Sequence, residues 1–472
     1  MPDVRYICLS DTHLGSDTSL LTALDRDGRV DPTRPSEPLS CLAACLRSLV
    51  AANEGPEKPA LVLNGDVLEL ALSTTNVAVM SFQRALEQLL PRGESPFISR
   101  LVYLPGNHDH HVWQAAREQQ YCAEVRRAPA GPLPHVPHAT ALLGTAPMRS
   151  ALLDAVVEGL GPQRAVPVDV LYPNLALRSE DGRRLVVIHH GHFLEPLYSA
   201  MSRLQGALFP GRPPAVTVEE LEADNGAWID FFWSSLGNSG DVGADVELLY
   251  EKLQSPEQVQ ALLANLARAL ARQNRNALVA GLESFAFTHL LLPLAAPLLN
   301  LFRAQTAQEL SDEERQGLLQ YVLGPLRNQA LAELGGLPPS VAFAFGHTHR
   351  AFAREIPVPG LGQPLQVFNT GGWVVDSQRT QPLNGASVLL VDETLEVAGI
   401  RLYAEADRLE DYPYQVSVFG LAGPDGRPGP FQRRVAEVVQ RSISLWRAFS
   451  RSAGPAVAER RALLDANVRR AG

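Results

Sequence analysis

The chain has 472 residues with 46% hydrophobic and 19% charged side chains, enough to bury a large core in two or three domains. A formal net charge of −10 argues against a phosphate-backbone binder, because nucleic-acid affinity rests on clustered Lys and Arg. Residues 431–472 run the other way, with nine arginines against Glu437, Glu459 and Asp465, a local +6 that leaves −16 on the rest. The four cysteines, Cys8, Cys41, Cys45 and Cys122, fit no zinc-knuckle spacing and are too few for a disulfide scaffold. No basic start followed by an apolar signal segment is present, so a reduced, cytosolic location is the expectation, with the inner membrane face as a peripheral alternative.

In chain order, apolar runs read as strands at Tyr6–Leu9, Leu61–Leu63, Leu101–Leu104, Leu185–Ile188 and Val341–Phe345. Such continuous runs suit strands buried on both faces. Helix-like stretches at 40–52 and 77–91 lie between them, which predicts βαβ units. From 193 to 340 the character changes to a mainly helical insertion. Thr217 with Glu220, Ser255 with Gln258 and Ser311 with Glu314 each have capping-box spacing, and apolar spacing is helical over 259–271 and 317–332. Strand-like runs resume at 366–368, 387–391 and 395–402. Residues 404–430 read as a linker region, with a Gly/Pro-rich stretch at 421–430, followed by an arginine-rich helical tail (431–472).

Residues 285–302 contain no charge and reach membrane-span length, but Pro293 and Pro297 interrupt a regular helix. A crossing there would place His190 and His347 on opposite sides of a bilayer, so a buried core or an apolar lid is expected. In the tail, Val435, Val438, Val439, Ile443, Trp446 and Phe449 can share a helix face among arginines. Docking on the acidic body is the expectation, and contact with an anionic membrane surface through 285–302 or 431–470 is the alternative.

Each of the five strands ends in a polar cluster. These are Asp11-Thr12-His13, Gly65-Asp66 with Glu69, Gly106-Asn107-His108-Asp109, His189-His190-Gly191-His192 and Gly346-His347-Thr348-His349. Ligand sites lie at the carboxyl ends of strands in sheets of this kind, so the clusters predict one metal site. Asp and His without Cys suit Mn best, with Fe or Zn as alternatives. About seven or eight protein ligands, one of them a bridging carboxylate, would hold two such ions. The glycines at 65, 106 and 346 are expected to let the backbone turn tightly where metals approach.

These clusters resemble those of the calcineurin-like metallophosphoesterase superfamily over about 1–192 and 341–403. The resemblance implies an α/β/β/α four-layer β-sandwich flanked by helices, with a discontinuous core (1–192 and 341–403) around the insertion. It implies that Asp11, His13 and His349 hold one metal, that Asn107, His190 and His347 hold the other, and that Asp66 bridges them. His190 is preferred over His189 because His-Gly is the family's usual form. His189 and His192 are left between supporting and structural roles, and His110 and His111 are read as surface residues. The activity implied is hydrolysis of a phosphate mono- or diester or pyrophosphate. A water-derived nucleophile between the ions would attack phosphorus in line, with His108 as the acid and Asp109 holding its ring.

Gly65-Asp66-Val67-Leu68-Glu69-Leu70-Ala71 departs from the Gly-Asp-x-Val-Asp-Arg-Gly of the protein phosphatases, and no tyrosine ligand of the purple acid phosphatase kind is seen. Phe368-Asn369-Thr370-Gly371-Gly372-Trp373-Val374 is similar to a segment of the UDP-diacylglucosamine pyrophosphohydrolase-like branch, although that branch usually has Arg where His108 stands. A nucleotide-type or lipid-linked phosphate ester is therefore the expected substrate. A non-catalytic scaffold of the same fold would be expected to lack ligands, and every ligand position here is filled.

Overall fold

The computed structural model describes residues 2–128, 131–235, 308–423 and 425–471. Its strands are β1 (Val4–Leu9), β2 (Thr22–Leu24), β3 (Val30–Pro35), β4 (Ala60–Asn64), β5 (Arg100–Leu104), β6 (Val168–Val170) and β7 (Asn174–Arg178). They continue as β8 (Arg184–His189), β9 (Ser340–Phe345), β10 (Ala351–Ile356), β11 (Leu365–Thr370), β12 (Gly385–Asp392), β13 (Val397–Ala404) and β14 (Ser417–Phe419). A seven-stranded sheet has the order β14-β13-β12-β1-β4-β5-β6, a five-stranded sheet the order β10-β11-β9-β8-β7, and β2 pairs with β3. Within the larger sheet β1, β4 and β5 are parallel neighbours; within the smaller one β8 and β9 are.

Alternation along the strands explains the layering. Cys8, Val62, Val102 and Leu389 of the larger sheet share one apolar cluster with Val186, Ile188, Ala342, Ala344 and Phe368 of the smaller. The residues between them point away: Ile7, Leu61, Leu63 and Leu101 join Leu42, Leu46, Phe82 and Leu86 of the helices Glu37–Val50 and Thr75–Leu89. On the far side Val187, Phe343 and Val367 join Phe193, Leu318, Tyr321 and Val322. The chain thus forms the expected α/β/β/α sandwich. Each fully buried aliphatic side chain in these layers contributes about 1.5–3 kcal/mol.

Among the described residues of 193–340, all regular structure before β9 is helical. Val218–Trp233 and Asp312–Tyr321 both open with complete capping boxes, on Thr217/Glu220 and Ser311/Glu314. A π-helical turn at Val322–Leu326 holds Pro325, whose missing N–H accounts for the wider turn. The readings at Ser255, 259–271 and 285–302 lie outside the described residues.

The region 404–430 read as a linker contains a strand, since Ser417–Phe419 (β14) pairs with β13 at the sheet's edge. The tail forms two helices, Pro430–Arg441 and Ile443–Ala471. Their Val435, Val438, Val439, Trp446 and Phe449 are buried, and Phe449 meets Trp373 edge-on at 5.7 Å. Arg460 donates to the carbonyls of Ser19 (3.2 Å) and Thr22 (2.7 Å), so the apolar face and one arginine are both committed to the body. No helix among the described residues is long and apolar enough to cross a membrane.

Candidate metal centre

The loops after β1, β4, β5, β8 and β9 meet where the carboxyl ends of the two sheets converge. Asn64 Nδ2 donates to the His189 carbonyl (3.0 Å) and the Gly346 amide to the His190 carbonyl (2.8 Å), tying one sheet to the other and β9 to β8. Six described non-glycine residues have positive φ, and five are candidate ligands: Asp11 (51°), His13 (41°), Asp66 (50°), His347 (67°) and His349 (57°). Each such conformation costs about 1–3 kcal/mol and persists only where surrounding bonds enforce it. The Asp11 amide donates to the Gly65 carbonyl (3.0 Å), that of His13 to the Asp66 carbonyl (2.9 Å), and that of His347 to the Asp11 carboxylate (2.9 and 3.0 Å).

Only one of the three glycines marked in the sequence supplies a turn: Gly65, at φ 81°. Gly346 supplies space instead, because a Cβ there would sit 2.1 Å from Asp11 Oδ2. Gly106 does the same beside Asp66, where the distance would be 2.3 Å.

The ring orientations define the pocket. His190 Nδ1–H donates to the Asn64 carbonyl (3.1 Å), which turns Nε2 towards the centre. His347 Nε2 lies 3.3 Å from Glu195 Oε1, and its Nδ1 turns towards His190. His190 Nε2 and His347 Nδ1 lie 3.2 Å apart. Asp66 Oδ2 (3.2 Å) and Asn107 Oδ1 (3.1 Å) also lie against His190 Nε2. Two ring nitrogens that can act as ligands thus converge with a carboxylate and an amide oxygen, an arrangement that a cation satisfies.

A second group repeats the pattern. His13 Nδ1–H donates to Glu69 (2.8 Å) and His349 Nδ1–H to Asp376 (2.8 Å). Their Nε2 atoms face Asp66 Oδ2 at 3.8 Å and Asp11 Oδ1 at 3.5 Å respectively. His13 Nε2 is buried without a hydrogen-bond partner. A carboxylate on the far nitrogen is the usual support of a metal-binding histidine. All seven residues named from the sequence are therefore brought together, with Asp66 common to both groups, and the donor set fits two divalent cations.

Electrostatics agree. Burial pushes the Asp66 carboxyl up, but His190, His108 and His13 outweigh it and hold it well below the usual carboxylate range. Burial lowers His190, yet Asp66 and Asp11 raise it to about 9; Asp11 and Asp376 likewise raise His349 to about 10. The pocket is set up for positive charge.

The third cluster needs a correction. His108 Nδ1 lies 2.9 Å from Glu69 Oε1, so Glu69, not Asp109, holds this ring, and the same carboxylate also holds His13. Asp109 is occupied elsewhere: it accepts from the amides of Gly106 (2.6 Å) and Val67 (2.8 Å) and from the Tyr103 hydroxyl (2.6 Å). Its task is to pin the β4 loop to the β5 loop. His108's own amide donates to Asp66 Oδ1 at 2.8 Å. Burial lowers the His108 ring's pKa, but Glu69 and Asp66 raise it to about 9.

His110, read as a surface residue, is fully buried and paired with Glu222 at 2.8 Å, while His111 is exposed beside Asp230. His189 and His192 are buried and held uncharged by burial; neither lines the cavity. Sequence reading gave no role to Glu69, Glu195 or Asp376. Glu69 was visible within its cluster, and Asp376 stands two residues past the end of the Phe368–Val374 segment. Glu195 had no signal, since its reach to His347 depends on the fold.

The centre opens into a cavity of about 620 Å³. Leu194, Leu197, Tyr198 and Trp233 form an apolar wall, and Arg350, Gln381 and Asn384 line another side.

No family model and no curated protein matches this chain. Among solved structures it is similar to a dimetal phosphatase from Danio rerio, at 12% identity over 86% of this chain and 97% of that one, with a TM-score of 0.31. A likeness at that score carries no weight for the chemistry.

Proposed function

We propose that this chain is a metal-dependent phosphohydrolase that cleaves a phosphate mono- or diester or a pyrophosphate. The observation that supports it most is the convergence of Asp11, His13, Asp66, Asn107, His190, His347 and His349 on one centre. Two divalent cations held there would neutralise phosphoryl oxygens and generate a nucleophile from water at neutral pH. The protein's part is then to orient and to move a proton. Glu69 fixes His108 with Nδ1–H towards itself, which turns Nε2 to the cavity as the donor for the leaving oxygen. The Glu69 carboxylate favours the protonated form of that ring, as an acid requires. Arg350 beside the centre is the cation best placed to meet a substrate oxygen, and the apolar wall favours an aromatic or apolar group on the ester.

Purified protein should carry two equivalents of Mn²⁺ and hydrolyse bis-p-nitrophenyl phosphate, p-nitrophenyl phosphate or an aryl-substituted pyrophosphate. The preferred member of that panel would define the bond cleaved. Two bound ions with no turnover of any member would favour a non-catalytic scaffold.

A further inference from the structure

We infer that Glu195, the third residue past the His189–His192 cluster, is a positioning residue that selects the metal-binding tautomer of His347. The inference rests on reading the centre as a two-metal site. His347 has two ways to place its ring proton. With the proton on Nδ1, it would donate to His190 Nε2 at 3.2 Å, and that N–H···N bond would occupy the space of the second ion. With the proton on Nε2, the ring presents it to Glu195 Oε1, 3.3 Å away, and leaves Nδ1 open beside His190 and Asp66. The carboxylate tips this balance towards the open form.

The surrounding segment is shaped for the contact. Gly191 has φ 127°, and a Cβ there would come within 2.9 Å of the His347 Cβ, so the chain passes hard against this residue. Two 3₁₀ turns, His192–Leu194 and Pro196–Ser199, then bring Glu195 to one edge of the ring and Tyr198 against its face, with centroids 5.2 Å apart at 78°. Both contacts come from the first residues of the helical insertion. Glu195 and Tyr198 also line the cavity, so the element flanking the substrate space is the one that holds the second ion's ligand.

Calorimetric titration of metal-stripped protein with Mn²⁺ tests this. Glu195→Ala is expected to weaken one of two binding events about 10–100-fold and leave the other at its wild-type affinity. Glu195→Gln keeps an acceptor oxygen and should restore most of the loss, which a requirement for charge or for contact with substrate would not produce. If Glu195→Ala does not fold, Glu195→Gln with two near-wild-type sites still supports the inference. Wild-type affinity at both sites in Glu195→Ala, or equal weakening by the two variants, would overturn it. Wild-type protein that binds no pair of ions would overturn the phosphohydrolase reading with it.

Discussion

His108 and Asp66 stand side by side in the centre but make different predictions. His108 meets the candidate ligands through its amide to Asp66 and an edge-on contact of its ring with His13 at 4.8 Å, so His108→Ala should lower kcat about 10²–10⁴-fold while two ions remain bound, as metal analysis would show. Loss of an ion in that variant would mean that the ring is itself a ligand. His110 offers a test away from the ions. Burial lowers its pKa, but Glu222 and Asp230 raise it to about 9, above an unfolded value of about 6.5. Its charge therefore adds stability that is complete below about pH 6.5 and is lost as pH rises through about 9. Thermal melts across pH 6–10 should show this fall in Tm, and His110→Ala should flatten it; an unchanged slope would count against the pairing. At this scale the ligands were legible because Asp, Asn and His at strand ends are poor core choices. The residues that hold them were not, because a carboxylate 2.8 Å from a ring nitrogen can come from anywhere in the chain, as Asp376 does for His349.

Strands could be read wherever an apolar run was long enough to fill two layers. β1, β4, β5, β8 and β9 all contain the expected runs because each is covered on both faces. β14 was missed for the opposite reason: Ser417–Phe419 is three residues long, half-exposed and at a sheet edge, so only pairing with β13 makes it a strand. The tail helices show the limit of amphipathic reading. Their apolar face suited a membrane or a protein surface equally, and burial of Trp446 and Phe449 against the body decides for the protein. Trp446→Ala should therefore cost about 3–5 kcal/mol in urea unfolding. A cost below about 1 kcal/mol would mean that the helix docks only loosely.

For the whole molecule, the centre lies between two sheets, and neither can form it alone. Asp11, Asp66 and Asn107 follow strands of the larger sheet; His190 and His347 follow strands of the smaller one. Ions that bind only this assembled state must stabilise it, by about 2.7 kcal/mol for each site at a free concentration a hundredfold above Kd. Removing them with a chelator should lower Tm, and adding Mn²⁺ back should restore it. The four-layer fold was legible from the order of strands and clusters, whereas the substrate was not, since the cavity's apolar wall is built by residues 194–233, whose arrangement only the fold defines. The most direct test of the two-metal account is metal content and hydrolysis of bis-p-nitrophenyl phosphate, measured together on wild-type protein and Asp66→Ala. The account predicts two ions and turnover in the first, with both lost in the second. Hydrolysis that survives in Asp66→Ala, or wild-type protein that binds no divalent ion, would contradict it.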